Sequence, residues 1–147
     1  MRPGSTPATD VARHLWDRVA TGVPDAPEAV AVTADRLYSQ LHPALGRWIG
    51  VEGFRALLDR ALGLARTEYP VLRDLFFLGG EDPVITAAVR DYGAPTVVTG
   101  LIGTIAILID LLGRVIGPEL ALHLVGQVGD SGARDVLNSE SSGGRDG

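Results

Sequence analysis

PTVVTGLIGTIAILIDLLGRVI, residues Pro95 to Ile116, is the most apolar stretch of the chain, and its reading decides the fold. β-branched residues crowd it at Thr96–Thr99 and Ile102–Ile109, a composition that suits a strand. Its length does not, because strands usually end after about five or six residues and a run this long suits a helix. In a helix, Leu101, Ile105, Leu108, Leu112 and Ile116 share one face and are expected to be buried together. Asp110 stands among aliphatic residues on both sides. An unpaired buried carboxylate is costly, so Asp110 is expected at the helix's one wet position, paired with Arg114 four residues on. Its functional reading is a polar contact across an interface.

The same stretch raises the question of a membrane. Ala94 to Ile109 is sixteen residues without a charge. A spanning helix needs about 20, and Asp110 and Arg114 fall where the run would have to continue. A buried core helix is therefore expected, with membrane association the lesser alternative. Gly100 and Gly103 suit close helix packing in either solvent.

Outward from this segment the chain reads as helix after helix. Downstream, 117–128 continues at helical spacing. Upstream, a helix starts at Asp82-Pro83 and ends near Tyr92-Gly93, and a short one is expected over Val71–Leu78. Thr9–Ala20 carries Val11, Leu15, Trp16 and Val19 on one stripe, and Thr21-Gly22-Val23-Pro24 ends it. A long helix follows from Pro27 to Ile49, with Pro43 inside it, so a kink there or a break near His42 is expected. A third runs from Val51 to Tyr69 and is closed by Pro70.

The strongest further signal is a repeat. Leu45-Gly46-Arg47-Trp48-Ile49-Gly50-Val51-Glu52 recurs without a gap as Leu112-Gly113-Arg114-Val115-Ile116-Gly117-Pro118-Glu119. In each copy a helix ends at Ile, a Gly is expected in the left-handed position, and a new helix starts at once. Arg47 and Arg114 then lie in a last turn, and Glu52 and Glu119 in a first turn, where the helix dipole favours those signs. Each Arg could also pair with its Glu across the corner. The chain is thus expected to be an all-α, compact bundle of about five to seven helices, built from two duplicated helix–corner–helix units at 25–69 and 94–128. The single domain spans 9–128, between a disordered 1–8 and a disordered polar tail at 129–147.

Composition excludes more than it assigns. Cysteine is absent, so disulfides and thiolate metal sites cannot form. His14, His42 and His123 are too dispersed for a metal pair, and no metal or cofactor is expected. All 13 basic residues are arginine, which points to a GC-rich bacterial genome. The net charge of −5 and the lack of a basic run argue against nucleic acid. No secretory signal opens the chain, so a bacterial cytoplasm is the expected location. Gly129-Asp130-Ser131-Gly132 resembles the nucleophile motif of chymotrypsin-like serine proteases. That family is a double β-barrel, which a helical chain cannot supply, so the match is read as coincidence. Adjacent Glu81 and Asp82 are better explained by capping the helix at Pro83 than by acid–base chemistry.

No catalytic constellation remains. The chain is expected to be a non-enzymatic interaction, adaptor or regulatory protein that binds a protein partner or itself. Trp48, in a slot filled by Val115 in the other repeat, and Asp110 are the candidate interface residues. The alternatives are a module for a small apolar ligand or lipid and, last, an enzyme whose Arg47, Glu52, Arg114 and Glu119 converge only in three dimensions.

Overall fold

The structure, a computed structural model, describes residues 7–20, 26–75 and 83–128. Among these residues there are five helices and no strand: α1 (Pro7–Val19), α2 (Pro27–Glu68), α3 (Pro83–Tyr92), α4 (Ala94–Ile116) and α5 (118–128). A 3-10 turn, Pro70–Leu72, follows α2. The protein is an all-α helical bundle. The expected N-terminal residues up to Thr6, the turn at Thr21–Pro24, Glu81 and Asp82, and the polar stretch 129–147 with its Gly129–Gly132 motif lie outside the described residues.

α4 is the axis of the bundle. α1, α2, α3 and the 3-10 turn all pack on it. Leu101, Ile105, Leu108 and Leu112 are each no more than 1% exposed, and Ile102, Ala106 and Ile109 are buried on another side of the same helix. Ile116, expected with the first set, is only half-buried, because it is the last residue before the chain turns away at Gly117. α4 is long and apolar enough to cross a membrane, and 72% of its most apolar window is buried inside the protein. Most of that surface is therefore covered by the protein's own helices.

Two glycines let the chain come close to this axis. A Cβ on Gly103 would lie 2.5 Å from the Tyr69 ring, and one on Gly100 would lie 3.1 Å from Leu72. The missing side chains make the groove in which Tyr69 and the 3-10 turn are seated. Arg66 steadies the far side, donating from Nη1 to the Leu75 carbonyl at 2.8 Å. The helix expected over Val71–Leu78 is, among the described residues, only this turn. The buried Thr104 hydroxyl donates to the Gly100 carbonyl at 2.9 Å, so no orphaned polar group enters the core there.

α1 begins two residues before the expected Thr9 and buries Ala8, Ala12, Leu15, Trp16 and Val19. Trp16 is therefore core. α3 is tied to the start of α2 by an exposed ion pair, Arg90 to Glu28 at 3.3 Å, of the kind that contributes little.

α2 does not break near His42. The helix passes through that residue with helical dihedrals, and its one non-helical residue is Gly50. Pro43 removes one hydrogen bond, to the carbonyl of Ser39. Both residues are exposed, so water can satisfy that carbonyl, while Leu41 and Leu45 on either side are fully buried. The break falls instead where a corner is needed.

Candidate functional site

Gly50 has φ 82° and ψ 158°, and Gly117 has φ 103° and ψ 139°. Both corners thus fall where the repeat places them. The helical arms leading into them are 27–49 and 94–116, 23 residues each and offset by the same 67 (94 − 27). Gly93, between α3 and α4, turns the chain in the same way, with φ 94° and ψ 147°. One detail differs from expectation. A left-handed helical cap would have ψ near 50°. These ψ values are extended and belong to a region that only glycine populates readily. The reason is the immediate restart: a ψ near 150° swings the chain away from the old helix axis and leaves no linker.

A Cβ on Gly50 or Gly117 would meet nothing within 4 Å, so the cost of a side chain there is backbone strain alone. Gly50→Ala and Gly117→Ala are each expected to destabilise by about 1–3 kcal/mol. Gly63→Ala, inside a regular stretch of α2 and facing only an Arg66 guanidinium nitrogen at 3.7 Å, is expected to stabilise by up to about 1 kcal/mol. Urea denaturation of the three variants checks the sign. Stabilisation at both corners would sink this account of them.

The outer surface of the first corner carries the candidate interface. Trp48 is 53% exposed and Val51 is 50% exposed, on either side of Gly50. Arg47 and Glu52 flank them and are exposed as well. At the second corner Val115 is 60% exposed, and Arg114 and Glu119 are exposed. Among the described residues neither Arg47 with Glu52 nor Arg114 with Glu119 forms an ion pair. This corrects the expectation of a bridge across each corner. An exposed pair gains little in high dielectric and loses side-chain entropy, so nothing enforces it. Asp110 is exposed, which agrees with the wet position expected for it, but it makes no ion pair with Arg114. The six corner residues are thus brought together in two groups of three, one at each glycine, and Asp110 lies near the second.

The inner side of the first corner is aromatic. Tyr38, His42 and Phe54 form a cluster across the bend, with His42 and Phe54 edge to face at 5.5 Å and Tyr38 6.0 Å from Phe54. Sequence reasoning missed this group, although Tyr38 and His42 sit four apart on one helical face. Two clefts among the described residues are large enough for a small molecule. One, of about 350 Å³, has Ala8, Ile109, Pro118 and Leu122 as apolar walls, with Asp110 and Arg114 also lining it. The other, of about 390 Å³, lies between Tyr69, Val71, Pro95 and Thr99. Burial first, and then the charge of Glu68, push the Tyr69 phenol above its usual pKa. Among the described residues no group of three His, Asp or Glu is placed to hold a metal ion. No known protein family, curated protein or solved structure matches this chain.

Proposed function

We propose that this chain is a non-enzymatic helical interaction protein, an adaptor or regulator of a bacterial cytoplasm, and that it works through its first corner. The observation that carries this is Trp48, more than half exposed beside the corner glycine. Scattered exposed aliphatics are ordinary. An exposed Trp beside an exposed Val, with an unpaired cation on one side and an unpaired anion on the other, has the make-up of a binding patch: an apolar centre and a charged rim. Trp and Arg are the residues that most often dominate such patches. The glycine corner supports the reading, because it holds the patch without a flexible linker and so lowers the entropy lost on binding.

The test is photo-crosslinking in the producing cell. With p-benzoylphenylalanine in place of Trp48, covalent adducts to protein are expected. The same group in place of Asp59, exposed on the polar face of the second arm of α2, is expected to give none. The absence of adducts at 48 would overturn the proposal. A second reading, a module for a small apolar ligand, draws on the cleft between Ala8, Ile109, Pro118 and Leu122, whose size suits a small molecule. Native mass spectrometry of the purified chain would reveal such a ligand as added mass.

A further inference from the structure

We propose that the occupant of the first corner is a second copy of this chain, packed about a two-fold axis through Trp48 and Val51; the inference rests on the reading of that corner as a binding patch. The argument is charge self-complementarity. Along the chain the exposed order is cation, Trp, corner glycine, Val, anion: Arg47, Trp48, Gly50, Val51, Glu52. Nearest the glycine the rim is thus basic on the incoming side, at Arg47, and acidic on the outgoing side, at Glu52, with Arg55 exposed one turn further out. A two-fold axis through the apolar centre exchanges the two sides. It sets Arg47 of one copy against Glu52 of the other, twice, and stacks the apolar centres between them.

A patch that matches itself under a two-fold needs no other partner to satisfy its charges. Within one copy those charges are left unused, since Arg47 and Glu52 do not pair across their own corner. The second corner repeats the charges at Arg114 and Glu119 but offers Val115 and Pro118 in place of Trp48 and Val51. It lacks the aromatic anchor on which such contacts depend. Pairing between unlike corners would be head-to-tail, giving a ring or an open chain, and would not use the charge match of the first corner with itself. The apolar centre is two side chains, Trp48 and Val51, where a standard interface uses about 20–30 residues a side. Association is therefore expected to be reversible and to depend on concentration in the micromolar range.

Sedimentation velocity of the full chain at rising concentration tests this. The wild-type chain is expected to pass from monomer to dimer. Trp48→Ser should weaken the dimer by about 30-fold or more, the size of a hot-spot loss. Arg47→Glu makes both rim positions acidic, and Glu52→Arg makes both basic. Each variant alone should remain monomeric where the wild type is dimeric. An equimolar mixture of the two should restore the dimer, because every contact across the axis then joins opposite signs. All three positions are exposed, and unchanged melting curves would show that the variants fold.

A wild-type chain that stays monomeric throughout overturns the inference. So does a dimer indifferent to both charge reversals, and so do oligomers that grow without closing. Crosslinks from position 48 to other proteins, with a monomeric purified chain, would remove self-association and leave the interaction reading standing. No crosslink at all would remove both.

Discussion

Phe54→Ala is expected to lower the unfolding free energy by about 3–5 kcal/mol, the range found when a large buried ring is deleted. Phe54 is fully buried and stands on the inside of the first corner, where the rings of Tyr38 and His42 close on it from the other arm. Removing it deletes packing against both arms at once. Neither arm can shift to fill the gap without moving Gly50, whose dihedrals suit no other residue. Chemical denaturation followed by circular dichroism measures the loss. Phe54→Leu should recover part of the stability, since the aliphatic side chain refills much of the volume. A loss below about 0.5 kcal/mol for Phe54→Ala, which is the range of surface changes, would mean that the corner is not packed as described.

The second large effect is expected at Leu108. It is fully buried at the middle of α4, on the stripe it shares with Leu101, Ile105 and Leu112. Leu108→Ala should cost about 2–5 kcal/mol, with the exact value set by how far the surrounding helices can collapse. Leu108→Met, nearly equal in volume, should cost less than about 1.5 kcal/mol. If α4 instead turned this face to a lipid or to a partner, the purified chain would lose almost nothing on truncation to Ala.

The core helix is readable from sequence because two independent signals agree over Pro95–Ile116: continuous apolarity and a length that no single strand reaches. The corners are readable because the repeat keeps both glycines while Trp48 and Val115 between them differ. The break expected near His42 does not occur, because a proline leaves its own dihedrals helical and an exposed position lets water reach the carbonyl it frees. The arginine–glutamate bridges do not form, because spacing across a corner says nothing about side-chain entropy at an exposed site. Asp110 is legible only as a wet position, since pairing with Arg114 requires two flexible side chains to settle in one geometry. The exposure of Trp48 is hinted at by its valine counterpart, whereas that of Val51 is not, because Val ordinarily reads as core. The Tyr38, His42 and Phe54 cluster is half legible: the first two share a helical face, but Phe54 reaches them only through the bend.

The packing of α1 on α4 has a consequence for how the chain is made. The two helices are separated by about 75 residues, from Val19 to Ala94. At about 5–20 residues per second, the ribosome needs about 4–15 s to pass from the end of one to the start of the other. For that time the stripe of Ala8, Ala12, Leu15, Trp16 and Val19 has been synthesised and the helix that covers most of it has not. The nascent chain therefore carries an uncovered tryptophan-bearing stripe for seconds, long compared with the microseconds in which a helix forms. Moving α1 to the C-terminal side of α5 by circular permutation would place α4 ahead of α1 in synthesis, so that α1 would meet its main partner as it emerges.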